Sequence, residues 1–199
     1  MDLVALLGQA VALALAAGVN VYATVALIGL AVRFEWVALP AEYHVFGSNV
    51  IIGAAIVLYL VEFVADKVPW VDSLWDVVHT AVRPIGGAFI AVATLGEASP
   101  VATVVAALVG GAVATSSHLT KAGTRAMANT SPEPFSNWAL SLTEDAFVLG
   151  LGYLALQYPV AALIVALAVL LGILTFSVVL LRAAGRWLQR WRQPAPALH

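Results

Sequence analysis

Between residues 3 and 32 the chain carries no charged side chain, and Arg33 is the first to interrupt the run. A helix that crosses a bilayer needs about 20 mostly apolar residues, so this stretch exceeds one perpendicular span. It fits a membrane only by tilting or by breaking, and Gly18-Val19-Asn20 is the expected break. Asp2 stands where a secretory leader has basic residues, so the run reads as retained rather than cleaved. Further apolar stretches follow at 50–64, 85–95, 101 to about 127, 138–156 and 160–181. They predict an all-α, polytopic helical membrane protein with about six membrane segments. The stretch 85–95 is short and opens on Pro84-Ile85-Gly86-Gly87, which suits a re-entrant segment as well as a crossing.

Composition closes off the alternatives. Hydrophobic residues make up 62% of the chain and charged ones 10%, against roughly 25% charged in a soluble domain. A soluble or a disordered chain is excluded on that ground. The absence of cysteine removes thiol nucleophiles, disulfides, cysteine-based zinc sites and iron–sulfur clusters. A net charge of -2 leaves no footprint for nucleic acid, so no such partner is expected. No Walker A loop, His-Glu-x-x-His or Gly-x-Ser-x-Gly occurs, so neither a cofactor nor a catalytic residue is assigned.

Arginines cluster after the last apolar stretch, at 182, 186, 190 and 192, which places the C-terminus in the cytoplasm of a multi-pass protein of the cell membrane. With an even number of crossings the N-terminus joins it. Lys67, Arg83, Lys121 and Arg125 then lie toward the cytoplasmic side and Arg33 outside. Residues 1–182 form one transmembrane domain, and 183–199 a basic, tryptophan-containing tail ended by Pro194 and Pro196.

Two passages share a layout. Gly18-Val19-Asn20-Val21-Tyr22-Ala23-Thr24 leads to Arg33, a proline-containing loop and Gly47-Ser48-Asn49. Gly111-Ala112-Val113-Ala114-Thr115-Ser116 leads to Arg125, a second such loop and Phe135-Ser136-Asn137. The expectation is two inverted three-segment halves, 1–98 and 99–182, with broken or re-entrant helices.

The placement of charge carries the functional reading. Asp72, Asp76, His79 and Arg83 recur at steps of four, three and four, on one narrow arc of a short helix expected over 70–83 and ended by Pro84. His118, Lys121, Arg125 and Asn129 form a second stripe, and Asn137, Ser141, Glu144 and Asp145 a third. Glu62 and Asp66 add acid at the end of the second segment, beside Lys67. An unpaired charge at the bilayer centre costs at least ~2.5–3.5 kcal/mol, so these stripes must face one another or water. Asp72, Asp76, Glu144 and Asp145 are expected to neutralise Arg83, Lys121 and Arg125, or the basic groups to contact an anion. His79 and Arg83 are expected at the cytoplasmic end of the site, with Asn20, Asn49 and Asn137 as uncharged ligands near helix breaks. Asp72, Asp76 and His79 have spacing for a metal, but the neighbouring cations oppose it and no metal is assigned.

Gly18-Val19-Asn20-Val21-Tyr22-Ala23-Thr24, the stretch 62–76 with its Asp66-Lys67-Val68-Pro69, His118 to Arg125, and Ser131-Pro132-Glu133-Pro134-Phe135-Ser136-Asn137 resemble the bacterial membrane family catalogued as domain of unknown function 4126. The resemblance covers nearly the whole chain apart from the basic tail. It implies a compact multi-pass membrane protein and supplies no activity. The residues themselves point to a small transporter or channel, lodged in a lipid bilayer and as a homodimer, for an ion or small polar solute. The rivals are a structural membrane protein whose charges only fasten helices, and an intramembrane lipid-handling enzyme.

Overall fold

The structure is a computed structural model that describes residues 2–130 and 135–192. Every regular element among them is helical: α1 (Leu3–Val19), α2 (Val21–Arg33), a 3-10 turn (Ala41–Gly47), α3 (Asn49–Ala65), α4 (Pro69–Leu95), α5 (Pro100–Ala128), α6 (Phe135–Gln157) and α7 (Pro159–Arg192). The boundaries follow local chemistry. Asp2 and Ser99 cap α1 and α5 by accepting from the backbone N–H groups of Ala5 and Ala102. Proline opens α4, α5 and α7, where its missing N–H costs nothing. Gly96, at φ 64, ends α4 in a left-handed turn that a side chain would strain.

The expected break occurs at one residue. Asn20 is extended, closes α1 through its N–H to Ala16, and caps α2 by accepting from Ala23. The chain then reverses. Along α1, Leu6 and Leu7 sit beside Leu95 and Ala102, Gly8 abuts the Pro159 carbonyl, and Gly18 meets Ala114 and Ser117. α2 retraces that depth: Tyr22 touches His79, Leu27 meets Gly152, and Gly29 meets Phe46 and Ile52. Residues 3–33 are therefore a re-entrant hairpin with its tip at Asn20. Its first arm is the centre of the bundle, with residues 12–19 all buried.

Among the described residues, four helices are long and apolar enough to cross a membrane: α4, α5, α6 and α7 as far as Ala183. The 3-10 turn and α3, bent by 62°, make a fifth if taken as one span. The six segments expected from sequence are thus present, but the first dips in and returns. With the bent pair taken as one span the crossings number five, an odd count that differs from the even number expected from sequence. A second correction concerns Pro84, which lies inside α4 rather than ending a short helix. Within a packed membrane helix a proline is tolerated because neighbouring groups satisfy the freed carbonyl. The stretch 85–95 is accordingly the far half of α4, neither re-entrant nor separate. A third is that α5 runs unbroken through 111–116, so this passage does not copy the break at 18–20. Beyond it, α3 and α6 run in opposite directions, as do α4 and α7.

Small residues hold the centre together. A Cβ on Gly87 would collide with Ala114 and with the Gly110 carbonyl, and one on Gly110 with Ala91 and the Gly87 carbonyl. Gly87 with Ala91, and Gly110 with Ala114, thus form facing small-xxx-small pairs that let α4 and α5 touch backbone to backbone. Polarity is inverted relative to a soluble protein. Glu62, Arg83, His118 and Ser141 are at 0% exposure, whereas Trp70, Val101, Ile164 and Leu171 on the outer faces are above 60%. Lipid is the medium that such a surface fits. Residues 131–134 and the end of the tail, with Pro194 and Pro196, lie outside the described residues.

Candidate functional site

Four helix ends meet at one level of the bundle: the end of α3, the start of α4, the end of α5 and the start of α6. The Asn20 tip of the hairpin approaches this level from the other side, reaching Asp145 of α6 and, through Tyr22, His79 of α4. The periodic stripes face this centre because the opposite faces of the same helices are apolar and lipid-exposed. On α4, Asp72, Asp76, His79 and Arg83 are buried while Trp70, Leu74, Val77 and Val78 are exposed.

The charges form one connected network. Arg83 places Nη2 2.7 Å from Glu62 Oε1, and Nη1 2.7 Å from His118 Nδ1 and 3.4 Å from Asp76 Oδ1. Lys121 Nζ lies 3.1 Å from Glu62, 3.3 Å from Asp66, 3.5 Å from Glu144 and 3.2 Å from the Val19 carbonyl. That carbonyl belongs to the last turn of α1, whose dipole places partial negative charge there and favours a cation. Arg125 grips Glu144 with two bonds of 3.0 and 2.6 Å, Asp66 Oδ2 at 2.9 Å and the Asp66 carbonyl at 2.7 Å. Its guanidinium also lies 3.5 Å from the Asn137 carbonyl and 3.9 Å from Asp72. Bidentate capture is what the planar fork of arginine permits and lysine does not.

Histidine roles are narrower than their spacing suggests. A guanidinium can only donate, so His118 Nδ1 accepts from Arg83, and its Nε2–H faces the Thr80 hydroxyl at 3.1 Å. In this arrangement His118 is neutral with one fixed tautomer. His79 donates Nδ1–H to the Trp75 carbonyl at 2.7 Å and meets the Tyr22 hydroxyl at 3.1 Å through Nε2. It therefore braces the hairpin rather than joining the ion pairs. Both His79 nitrogens are thus engaged, and among the described residues no group of three His, Asp or Glu is placed to hold a metal.

The expected site residues Asp72, Asp76, Arg83, His118, Lys121, Arg125, Glu144 and Asp145 converge, and Asn20 joins them through Nδ2, 3.5 Å from Asp145. Asn137 is buried and contributes its backbone carbonyl to Arg125. Asn49 does not belong: it is exposed at the other end of α3, roughly 20 Å from Glu62 at 1.5 Å per residue. The principal partners also differ from expectation. Glu62 and Asp66, not the acids of α4, take most of the positive charge. Their separation of four residues at the end of an apolar helix was the available signal. Arg83 lies deep rather than at the cytoplasmic end, because α4 begins at Pro69 and Arg83 falls roughly 20 Å along it.

A cleft of about 290 Å³ between α5, α6 and α7 reaches the network from the side. Lys121 and Glu144 form its floor, with Thr120, Thr124 and Thr143 beside them and Phe147, Val169 and Ile173 as apolar walls. The Glu144 side chain retains 15% exposure there.

The pattern of a family described as Domain of unknown function (DUF4126) matches residues 7–179, which include both arms of the hairpin and every member of the network. No curated protein and no solved structure matches the chain.

Proposed function

The chain belongs to this family of unknown function, DUF4126, and from that premise we propose that it is a small membrane transporter or channel with a charge-lined site for an ion or small polar solute. The observation that supports this reading is the re-entrant hairpin whose broken tip meets a buried charge network. Breaking a helix in a bilayer frees backbone groups, and transporters use such ends to bind solute at mid-depth. A network made only for stability is a poor use of these residues, since apolar replacements of buried ion pairs are often equally stable. The charged end carries Lys67 and the arginines of the last turns of α7, so the positive-inside rule favours its facing the cytoplasm. The two halves, 1–98 and 99–182, are proposed as the two units that together enclose the site.

The test is a flux screen of purified protein in proteoliposomes, over alkali ions, protons and small anions. Uptake in wild type and its loss in Asp76→Asn, with unchanged folding, is the expected result. Well-folded protein that moves none of these solutes would overturn the proposal. A second reading, that the network only fastens helices, is favoured by the saturation of Arg125. It predicts instead that Asp76→Asn lowers thermal stability and expression while no flux exists to be lost.

A further inference from the structure

Donors and acceptors in the network do not cancel, and the remainder has one sign. Building on the transport reading, we propose that the solute of this site is a small monovalent cation, seated beside Asp145 at the hairpin tip. The positive groups are spent. Lys121 meets four oxygen acceptors, Arg125 meets Glu144, Asp66 and the Asn137 carbonyl, and both Nη atoms of Arg83 are engaged. Among donors of the network, Arg83 Nε alone is buried without a partner among the described residues. The oxygens are in surplus: Glu62 Oε2, Asp72 Oδ1, Asn137 Oδ1 and Asp145 Oδ2 are all buried and accept no hydrogen bond. Across the network as a whole, the unpaired oxygens outnumber the single unpaired N–H, which favours a cation over an anion. On this reading the basic stripe, left by spacing with two roles, serves to neutralise acid.

Charge gives the same sign. Glu62, Asp66, Asp72, Asp76, Glu144 and Asp145 face Arg83, Lys121 and Arg125, and His118 adds no charge while Arg83 donates to it. Asp145 is the carboxylate left over. It is 8% exposed and, among the described residues, has no cationic nitrogen within the 4.0 Å of an ion pair. Asn20 Nδ2 lies 3.5 Å from its Oδ1, and the Tyr59 hydroxyl faces it from α3. The other charges that bear on it are Asp66 and Glu62 of α3, Lys121 of α5, and Lys67. Lys67 is held elsewhere, by the Phe63 carbonyl at 2.7 Å, Ser141 at 3.3 Å and the Phe63 ring. The carboxylate of Asp145 and the hydroxyl of Tyr59 are oxygen ligands of the kind that hard cations take. A divalent ion would require further carboxylates, and those are committed to arginine and lysine.

The experiment is thermal unfolding of the purified protein in lipid nanodiscs at constant ionic strength. Sodium, potassium and ammonium chlorides are compared with N-methylglucamine chloride, and sodium chloride with sodium nitrate and phosphate. At least one small cation should raise Tm saturably, by roughly 5–10 °C at a hundredfold excess over Kd, and the anion should not matter. Asp145→Asn should abolish that shift and keep its Tm in N-methylglucamine. Tyr59→Phe, which retains the ring, should weaken the apparent affinity and serves if Asp145→Asn does not fold. The proposal is overturned if no cation shifts wild type, if both variants respond as wild type does, or if only anions act. Cation binding without flux in proteoliposomes sinks the transport reading and leaves this site standing. Anion flux without cation binding does the opposite.

Discussion

Glu62 shows why a single buried carboxylate can govern a membrane interior. One of its oxygens serves both Arg83 and Lys121, at 2.7 and 3.1 Å, with no exposure to water. Glu62→Gln should therefore leave two cations short of charge and destabilise the protein by about 3–5 kcal/mol, the range for breaking one side of a buried pair. Thermal or denaturant unfolding in detergent would check it. Arg125→Lys should also be costly despite the retained charge, because one ammonium cannot hold both Glu144 oxygens and the two oxygens of Asp66. Asp145→Asn should be within about 1 kcal/mol of wild type, since no ion pair is broken there. Equal losses for Glu62→Gln and Asp145→Asn would contradict the division between pairing and unpaired acids. The same contrast separates residues that hold the network from the one proposed to receive a solute.

Two features decide the behaviour of the helices. The first is the cap that makes the hairpin. Asn20 satisfies the start of α2 and reaches Asp145, so Asn20→Ala should cost about 1 kcal/mol from the lost cap and blunt any cation-dependent stabilisation. A variant that lost stability but kept the full cation response would detach the tip from the site. The second is the backbone approach of α4 and α5. Gly110→Leu inserts a side chain where even a Cβ collides with Ala91 and the Gly87 carbonyl, so α4 and α5 must separate. The expected loss is about 3 kcal/mol, at the upper end for overpacking, together with flux, because Arg83 and His118 lie across that seam. Gly172→Leu, at an open position on α7, is the control that should change little.

At the scale of the molecule the hairpin changes the parity of the fold. Residues 2 and 99 belong to one end of the bundle and residue 73 to the other. The chain has no native cysteine, so single cysteines are clean reporters. Asp2→Cys and Ser99→Cys should react with an impermeant reagent from the same side in intact cells or sealed vesicles, and Ser73→Cys from the opposite side; all three positions are exposed. Labelling of residues 2 and 73 from one side would restore an even number of crossings and remove the hairpin. The layout also explains how a short chain holds so many charges. The re-entrant arms contribute an apolar central column, α1, and a polar tip without needing loops on both sides. The burial cost of the ions is then met by other ions and by freed backbone.

The sequence by itself determined the medium and the faces. A chain this apolar must be helical in lipid, because only helices satisfy their own backbone there, and periodic charge on apolar helices must turn inward. Asn20 was legible as a break because a capping residue interrupted a run too long for one span. Tertiary structure alone decided which charge meets which. Glu62 and Asp66 match the cations as well as Asp72 and Asp76 do in residue type, and only the depth at which α3 ends beside α5 gives them Lys121 and Arg125. It also decided that the break reverses the chain, since a cap fixes where a helix starts and not its direction. Pro84 is the same lesson: its ring weakens a helix locally, and packing against α1 and α5 carries the helix through.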